Sequence, residues 1–585
     1  MNYNLNKLSE RAEKLSNLAA LRKLLQLIAN EHKTLVLATI AIIINSALNL
    51  LGPLIIGHTI DTYVQGKQYQ GVLFWCGVLL SMFLVGLVTS YLQAKLMGGV
   101  GQRMLFTLRN AIFNKLQQLP VDFFNQNKAG DLISRVNNDT DKLNQFFSQS
   151  LVQFIGSIAT MTGAGVFLMA IHVQLGLAAM APMLLILIFT MVVSPWVKRT
   201  NAKNLKSVGG MSAEIQESLN NFKVIIAFNR RDYFRKRFDV ANQQNYKSAV
   251  SAGLANNIFM PVYTLGASLA QLTVLVLGIY MIGNDFSIGL LIAYLSYVTL
   301  FYNPLRQLAA LWANFQTAMA AWDRISQILG LESNLVSIDD STETHSDALL
   351  EFKNVHFGYA AGHEILHNVS FKMERGKTYA LVGPTGGGKT TTASLIARLY
   401  DPTQGSILLN GKDIRSYSAN ERAQKVGFIL QEPFLFTGTV RENILYGNDA
   451  YKNYSNQQLE QAIADANLGS LLAIFEEGLD SKVTSGGDSI SLGQKQLIAF
   501  MRAVLRNPDL LILDEATANI DTITEKLLGD ILNNLPAHTT RVIIAHRLNT
   551  IENADEIYFV NSGEVIKAGS LNDAVDMLLK DKRVS

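Results

Sequence analysis

A glycine-rich segment in the last third of the chain has the composition of a phosphate-binding loop. It reads GPTGGGKT and lies between a predicted strand, TYALVG, and a predicted helix, TTASLIARLY. Glycine lets backbone N–H groups turn around phosphate oxygens without a Cβ in the way, and a helix N-terminus attracts anions. We therefore predict that this loop binds the phosphates of a nucleotide. The residues of the predicted site are Gly383, Pro384, Thr385, Gly386, Gly387, Gly388, Lys389, Thr390 and Thr391.

Two side chains of this loop have the chemistry that a nucleoside triphosphate requires. Lys389 is placed to reach the β- and γ-phosphates, and the hydroxyl of Thr390 is placed to ligate Mg²⁺. Strand, loop and helix follow one another in the order that a P-loop requires. The sequence therefore predicts a site for ATP and Mg²⁺.

A second predicted strand, LLILDE at residues 510–515, ends in two carboxylates. Asp514 is suited to hold Mg²⁺ through water. Glu515 is suited to polarise the attacking water as a general base. We therefore predict that the site hydrolyses ATP as well as binding it.

Three other residues are candidates for the same site. Gln431 ends the predicted strand VGFILQ and can contact both Mg²⁺ and the lytic water. His546 ends the strand RVIIAH and is a candidate sensor of the γ-phosphate, although a lone histidine is more often structural. Tyr359 precedes the loop at a spacing that favours stacking on adenine over a role in the core.

The first part of the chain has a different composition. It contains six long stretches without Asp, Glu, Lys or Arg, and each can cross a bilayer, which takes about 20 helical residues. The number of such stretches favours membrane spans over buried helices of a soluble protein. The predicted spans are approximately 34–60, 68–95, 146–171, 173–197, 250–284 and 286–308.

A polar, acidic segment at 332–348 is predicted to be a linker. It separates a predicted transmembrane domain, residues 1–331, from a predicted ATP-binding domain, residues 349–585. Charged residues are 17% of the chain, below the roughly 25% of soluble proteins. The net charge of +3 does not indicate a nucleic-acid partner, and the single cysteine, Cys76, excludes an internal disulfide.

Positive charge sets the predicted orientation in the membrane. Lys and Arg are numerous in residues 96–145 and 198–249, whereas the opposite loops carry only Lys67. The positive-inside rule therefore places these two segments, both termini and the ATP-binding domain in the cytoplasm. We predict a multi-pass protein of the cytoplasmic, or inner, membrane.

The cytoplasmic segments have helical periodicity. We predict that Gly98–Leu119 and Asn201–Gln244 are helices that continue the spans below the membrane. His172 and Asp285 each predict a short outer turn between neighbouring spans. Residues 16–32 are amphipathic and suit a helix lying on the inner leaflet, although a surface helix of a soluble domain would look similar.

Taken together, these residues resemble the ABC ATPase family, and with six preceding spans the chain is similar to ABC exporters of the multidrug and lipid-flippase type. The exporter pattern in the membrane half is matched by Phe123, Phe124, Gly130–Val136 and Asp139. A second segment of the pattern is matched by KVIIAF, Lys223–Phe228. In the family these loop regions dock onto the ATPase domains.

The resemblance implies the fold class. It implies a multidomain protein with an all-α, six-helix transmembrane domain. An α/β P-loop ATPase domain, with an antiparallel β subdomain and a helical subdomain, follows. It also implies a D-loop at Ala518–Asp521 and a dimer in which two ATPase domains enclose two ATP molecules, so that hydrolysis switches the membrane bundle between states.

One element departs from the family pattern. The family signature is LSGGQ, whereas this chain reads ISLGQ: Ile490, Ser491, Leu492, Gly493 and Gln494. In the family this helix end clamps the γ-phosphate of ATP held by the partner subunit. Leucine in place of glycine adds bulk where the backbone must approach phosphate, so we expect the clamp to be weakened.

This departure predicts an unlike partner. The chain keeps the residues of its own catalytic site but offers an altered signature to its neighbour. The resemblance therefore implies a heterodimer whose other half-transporter has an intact LSGGQ and a compromised catalytic base. A homodimer that tolerates Leu492 is the alternative.

The predicted function is ATP-driven export, or flipping between leaflets, of hydrophobic or amphipathic compounds such as drugs or lipids. The alternatives are a membrane-bound ATP sensor, which would not need Glu515, and an importer, which usually has separate membrane and ATPase chains. Polar and aromatic residues are scattered through the spans, and such polar groups more often join helices than bind cargo. They include Asn45, Asn49, Gln153, Asn256, Asn257, Gln271, Tyr294, Tyr297 and Tyr302.

Overall fold

The chain folds into two compact units. In the computed structural model we describe residues 3–5, 31–282, 286–339, 348–359, 362–484, 490–514, 522–544, 554–569 and 571–581. The first unit contains residues 1–4, 118–128 and 331–585, and the second contains residues 5–117 and 129–330. The short segment 118–128, which lies between the second and third predicted spans, therefore packs with the ATP-binding part of the chain.

The second unit consists of helices and short connections, with one isolated β-bridge between Ile282 and Phe286, throughout its described residues. Its long helices are largely apolar where they were predicted to cross the bilayer. Its helices are α1 His32–Thr59, α2 Tyr69–Gln118, α4 Ala129–Ser134, α5 Thr140–Gln145, α6 Leu151–Ile171, α7 Val173–Asn220, α8 Phe222–Ala227, α9 Arg231–Asn257, α10 Phe259–Met281 and α11 Ile288–Leu329. Single π-helical turns extend α1 at Ile60–Val64 and join α4, α5 and α6 at Arg135–Asp139 and Phe146–Ser150.

The predicted number of spans is confirmed. Six helices are long and apolar enough to cross a membrane, and they occupy His32–Val64, Tyr69–Gln118, Ala129–Ile171, Val173–Asn220, Arg231–Met281 and Ile288–Leu329. Many of their large apolar side chains, such as Leu73, Phe83 and Val192, are exposed in the isolated chain. Such faces are suited to contact with lipid or another apolar surface. An α-helix can lie in hydrocarbon because its backbone hydrogen bonds are made within the helix.

Three tyrosines of the last span donate hydrogen bonds to backbone carbonyls of other helices. Tyr294, Tyr297 and Tyr302 are at most 3% exposed. Their hydroxyls donate to the carbonyl oxygens of Leu168, Leu50 and Ala179, at 2.6, 2.7 and 2.9 Å. These tyrosines therefore join α11 to α6, α1 and α7.

The helices continue beyond the spans as predicted, with one difference. α2 runs unbroken to Gln118, but the predicted helix Asn201–Gln244 is interrupted at Asn221 and again before Arg231. Asn229 adopts a left-handed conformation with φ of +49°, which asparagine tolerates better than most residues and which ends a helix. The short turn at His172 is confirmed, because its ring Nδ1 accepts from the N–H of Leu175 and caps α7. Residues 16–30 of the predicted amphipathic helix and Asp285 lie outside the described residues, and His32 begins α1.

The first unit contains α3, Val121–Gln126, and an α/β domain. The strands of this domain are β1 Ala348–Phe357, β2 Leu366–Glu374, β3 Thr378–Val382, β4 Gln404–Leu409, β5 Lys412–Asp413, β6 Val426–Ile429, β7 Gly438–Thr439, β8 Lys482–Val483, β9 Leu510–Asp514, β10 Thr540–Ile544, β11 Glu556–Asn561 and β12 Glu564–Ala568. Its helices are α12 Lys389–Ile396, α13 Ala419–Lys425, α14 Val440–Ile444, α15 Asn456–Asp465, α16 Gly469–Leu472, α17 Leu492–Val504, α18 Thr522–Asn533 and α19 Leu571–Asp581.

A central sheet carries the site. Its six strands are ordered β12-β11-β3-β10-β9-β6, and all neighbours except β11 and β12 are parallel. Every residue of β3 and β9 is buried, as expected for strands covered on both faces. A separate antiparallel sheet, ordered β2-β1-β4-β5, packs on one side, and the helices α14 to α17 share the apolar core on the other side.

Candidate functional site

The glycine-rich loop leaves β3 in a conformation that only glycine can adopt. Gly383 follows the strand with φ of +149°, and a Cβ there would lie 2.0 Å from the carbonyl oxygen of Val560. Gly388 is the N-cap of α12 with φ of +113° and carries no side-chain cap. The loop therefore presents its backbone to the start of α12 without side chains in between, as phosphate binding requires.

The lysine of the loop lies over it. Lys389 is 5% exposed, and its Nζ donates to the carbonyl oxygens of Gly383 and Pro384, at 2.8 and 3.0 Å. Thr390, one residue further on, is exposed on the first turn of α12. Lys389 and Thr390 thus lie at the start of α12, the helix end that the sequence predicts to bind phosphate.

The parallel strands bring two other predicted residues, Asp514 and Gln431, to the same edge of the sheet. Asp514 ends β9 and is 4% exposed, and it pairs in register with Ile544, the last residue of β10. Gln431 lies two residues beyond the end of β6 and is exposed. Ligands of such sheets bind at the carboxyl ends of the strands, so the Thr390 hydroxyl and the Asp514 carboxylate are oxygen donors of the kind that Mg²⁺ prefers.

Several predicted residues cannot be placed. Glu515, His546 and the predicted D-loop Ala518–Asp521 lie outside the described residues. The described parts of β9 and β10 end one and two residues before Glu515 and His546 respectively. The roles of these side chains remain predictions.

Tyr359 lies beside the phosphate loop. Its hydroxyl is 3.2 Å from Oγ1 of Thr391 on α12. Its ring, 42% exposed, packs edge-on against Tyr400 at a centroid distance of 5.0 Å. Burial raises the pKa of the Tyr400 hydroxyl. Tyr359 is thus held by an aromatic contact while part of its ring remains available.

The altered signature begins α17. Ser491 is the N-cap: its Oγ accepts from the N–H of Gln494 at 3.2 Å, and its own N–H donates to Oε1 of Gln494 at 2.9 Å. This reciprocal pair is a capping box. Leu492, the first residue of the helix, is 38% exposed.

One connection within the ATPase unit was missed by the sequence analysis. Arg502, on α17, donates to the carbonyl oxygens of Asn443 and Phe434, at 2.7 and 3.1 Å, and to Oδ1 of Asn443 at 3.1 Å. Burial lowers the pKa of the Arg502 guanidinium. This arginine joins the signature helix to the segment that follows Gln431. The sequence contained one signal of this connection, because Arg502 is the single charged residue in the otherwise apolar run LIAFMRAV.

The motif residues of the membrane half form an ion-pair network. Arg324, near the end of α11, bonds Asp131 at 2.5 Å and Asp139 at 3.1 Å, and Arg135 bonds Asp131 at 3.0 Å. Arg135 and Asp139 are at most 2% exposed, so these charges depend on one another. The network joins α4 and its neighbouring turns to the last span.

Six apolar helices together with a phosphate loop at the carboxyl ends of parallel strands define a membrane-embedded P-loop ATPase. Family models match the chain as "ABC transporter transmembrane region" over residues 35–305 and as "ABC transporter" over residues 366–518. The chain therefore belongs to the ABC transporter family, with both regions fused in one polypeptide.

Relatives cover nearly the whole chain. An uncharacterised ABC transporter ATP-binding protein of Bacillus subtilis, YfiC, is 33% identical over 97% of this chain and 94% of its own length. The ATP-dependent lipid A-core flippase of Escherichia coli O6:K15:H31 is 31% identical over 96% of each chain. A solved structure of a bacterial Atm1-family ABC exporter with ATP bound superposes with a TM-score of 0.78 at 24% identity, over 94% of this chain and 97% of that one.

These findings confirm the predicted fold class and the predicted type of protein. The chain is a multi-pass membrane protein with an ATP-binding domain, and it is an ATP-hydrolysing transporter of the exporter type.

Proposed function

We propose that this chain is one half of an exporter that uses ATP to move lipids or other amphipathic compounds from the inner to the outer leaflet, or out of the cell. The fusion of six spans to a P-loop ATPase in one chain carries the proposal. The relationship to a lipid A-core flippase favours amphipathic cargo. The positive-inside pattern favours the cytoplasmic membrane with the ATPase domain in the cytoplasm.

Within the nucleotide site, the proposed roles follow from position. The backbone of the loop and Lys389 bind the phosphates, and the exposed ring of Tyr359 stacks on adenine. Thr390, Asp514 and Gln431 would hold Mg²⁺, which neutralises charge that develops on the phosphates. Glu515 acts as the general base, and His546 senses the γ-phosphate.

Replacing the proposed base tests this assignment. Glu515→Gln is expected to lower ATP turnover of the purified assembly by about 10²–10⁴-fold, the usual contribution of general base catalysis, while ATP still binds. Glu460→Gln, an exposed carboxylate on α15, is the matched control. Unchanged turnover in Glu515→Gln would refute the assignment, and ATP-dependent flipping of a fluorescent phospholipid in proteoliposomes tests the export step.

A partner subunit is part of the proposal. Phe222, Val224 and Phe228, in and beside α8, are each more than half exposed, and such an apolar face favours docking on another domain. We propose a second half-transporter whose signature completes the site formed by this chain's loop. Residues Ser491 to Gln494 would bind the partner's ATP in turn.

Leu492 favours an unlike partner over a second copy of this chain. Its side chain begins α17 where the family pattern has glycine, and it is exposed at the helix end. Purification of this chain alone discriminates the two cases. A heterodimer predicts little ATP turnover until the partner is added, whereas brisk turnover by a homodimer would contradict it.

A further inference from the structure

A cavity opens among four of the membrane-spanning helices. It has a volume of about 260 Å³ and lies between α1, α2, α6 and α11. Among the described residues that line it, nine side chains carry amides or hydroxyls and none is charged. Six of the nine are amides: Asn45, Asn49, Gln93, Gln153, Asn303 and Gln307.

Some of these polar groups join the helices to one another. The amide of Asn45 donates to the carbonyl oxygen of Gly86 at 3.1 Å and to Oγ of Ser90 at 2.8 Å, which connects α1 to α2. Asn49 donates to Asn45 at 3.1 Å. These contacts are the usual use of polar residues inside spans.

Three amides of the cavity are used differently. Within the part of the chain that the structure describes, the side chains of Gln93, Gln153 and Asn303 make no hydrogen bond. Gln153 and Asn303 are exposed and line the cavity from α6 and α11. An amide without a partner in hydrocarbon is costly, so these groups are best explained by a ligand or water that they bind.

We propose that this cavity binds the uncharged, hydrogen-bonding head group of the transported amphiphile, such as a hydroxyl, ester or amide group. Amides both donate and accept, whereas a charged head group would find no described countercharge among the lining residues and would pay the full desolvation penalty. The volume is just below the roughly 300–1,000 Å³ of typical ligand sites, which suits a head group and not a whole lipid. The inference rests on the proposed export function.

The position of the cavity fits loading from the inner leaflet. Gln93, Gln153 and Gln307 lie near the ends of their spans that continue into the long cytoplasmic helices. On the proposed orientation, these ends face the cytoplasm. An amphiphile in the inner leaflet would therefore meet the amides with its head group while its chain remains in lipid.

Amphiphiles of about the same chain length, twelve carbons, that differ in head charge test the proposal. The purified assembly in nanodiscs is titrated with 1-lauroylglycerol, laurate and dodecyltrimethylammonium while ATP turnover is measured. We expect 1-lauroylglycerol to stimulate turnover at the lowest concentration. The double variant Gln153→Leu, Asn303→Leu should raise its half-maximal concentration about tenfold, because two hydrogen bonds are lost.

The matched control removes an amide elsewhere in the membrane. Gln271→Leu deletes the bond from α10 to Thr299, at 2.9 Å, outside the cavity, and should leave the half-maximal concentration unchanged. The proposal is overturned if a charged amphiphile is as effective as 1-lauroylglycerol, if 1-lauroylglycerol does not stimulate, or if the double variant behaves like the control. The two proposals can fail separately. If Glu515→Gln abolishes turnover, and the unmodified assembly is stimulated only by a charged amphiphile, the export proposal stands and the head-group proposal fails.

A second inference concerns the first residues of the chain. Tyr3 is fully buried within the ATPase unit. Its hydroxyl donates to the carbonyl oxygen of Glu332 at 3.0 Å and accepts from the N–H of Asn334 at 2.8 Å, more than 300 residues away along the chain. Its N–H donates to Oε1 of Gln126 at 2.9 Å, and its ring packs edge-on against Phe123.

These contacts tie α3 to the start of the linker. α3 also reaches the nucleotide site, because Asn125 donates to the hydroxyl of Tyr400 at 2.7 Å, and Tyr400 packs against Tyr359. α3 belongs to the chain segment between the second and third spans. A continuous set of packed groups thus runs from Tyr3 through α3 to the proposed adenine site.

We infer that Tyr3 is a positioning residue that holds α3 against the nucleotide site, so that ATP binding moves the membrane helices. The single cysteine, Cys76, is exposed on α2 and can carry an environment-sensitive fluorophore. Tyr3→Ala in the labelled assembly is expected to lower the ATP-induced emission change by more than half while ATP affinity is retained. Tyr3→Phe, which keeps the ring, should have an intermediate effect.

Tyr246→Ala is the control, because this tyrosine is 70% exposed on α9. A purely structural role for Tyr3 predicts that ATP affinity and thermal stability fall together with the emission change. That result, or an unchanged emission response in Tyr3→Ala, overturns the inference.

Discussion

Two helices of the ATPase unit begin in opposite ways. α12 begins after Gly388, which has no side chain to offer and adopts φ of +113°. α17 begins after Ser491, whose side chain forms a complete capping box with Gln494. The first turn of any helix leaves N–H groups without intrahelical partners. In α12 no N-cap side chain takes them, whereas in α17 the protein's own side chains satisfy part of the set.

This difference shows what a phosphate site demands. An anion at α12 meets backbone groups directly. An anion at α17 must approach past Leu492 and share the helix end with the Ser491 hydroxyl. The N-terminus of α12, which follows glycine, thus leaves its N–H groups open to phosphate. The N-terminus of α17 is capped by the protein's own side chains. Ser491 and Gln494 match the family signature, so the capping box alone does not favour an unlike partner. Leu492, which stands where the family pattern has glycine, is the physical basis for that proposal.

The largest effect is expected when the glycine at the N-cap of α12 is replaced by a residue with a side chain. Gly388→Ala places a methyl group 2.8 Å from Cδ2 of Leu366, at a left-handed φ. Strain of about 1–3 kcal/mol plus the contact should displace the loop, and we expect ATP affinity to fall about 100-fold. Equilibrium binding of a fluorescent ATP analogue measures it.

Gly529→Ala is the matched control, because a Cβ at this α18 position meets no atom within 4 Å. It should leave ATP affinity unchanged and raise stability by up to about 1 kcal/mol, since alanine favours a helix interior. Equal ATP affinity in the two variants would show that the cap of α12 does not need glycine.

Replacing Arg502 should show that side-chain hydrogen bonds stabilise the position of α17. Arg502→Ala deletes three hydrogen bonds to Asn443 and Phe434. A hydrogen bond to a charged group contributes about 1.5–3 kcal/mol, but the cost of burying the guanidinium offsets much of the sum. We expect a loss of about 2–3 kcal/mol in unfolding free energy, measured by thermal unfolding in detergent. Arg375→Ala, at an exposed arginine, should change stability by less than about 0.5 kcal/mol, and a similar loss in both would contradict the assignment.

A smaller effect on ATP binding is expected when the first residue of α17 is changed to glycine, the residue that the family pattern has there. Leu492→Gly removes the exposed side chain at the start of α17. If Leu492 weakens the clamp on the partner's ATP, the variant should trap ATP at that site more tightly, by up to about tenfold, since one side chain accounts for about 1 kcal/mol. Retention of radiolabelled ATP by the assembly measures this. Unchanged retention would remove Leu492 as the reason for an unlike partner.

The spans and the loop were predictable because each is encoded locally. An uncharged stretch long enough to cross a bilayer has few other places to lie, and glycines before Lys389 and Thr390 have few other uses. The strands around the site were also predicted, since buried parallel strands are continuous apolar runs. Asp514 and Gln431 follow from where those runs end.

The contacts that join distant segments were not predictable. Nothing local distinguishes Tyr3 from other tyrosines, because its partners Glu332 and Asn334 lie at the other end of the membrane half. The breaks at Asn221 and Asn229 were missed because a periodic, charged sequence favours helix on both sides of them. Such breaks depend on one residue's backbone conformation, which periodicity does not report.

The smallest expected effect concerns how Tyr359 is used. Its hydroxyl contacts Thr391 at 3.2 Å and its ring contacts Tyr400. If stacking on adenine is its role, Tyr359→Phe should change ATP affinity by less than about twofold, because the ring is kept. Tyr359→Ala should weaken ATP by about fivefold, in line with roughly 1 kcal/mol for an aromatic pair. The same variants measured with tripolyphosphate provide the control, since this ligand has no base to stack. An equal loss for both ligands would show that Tyr359 acts by supporting α12, and the adenine assignment would then be wrong.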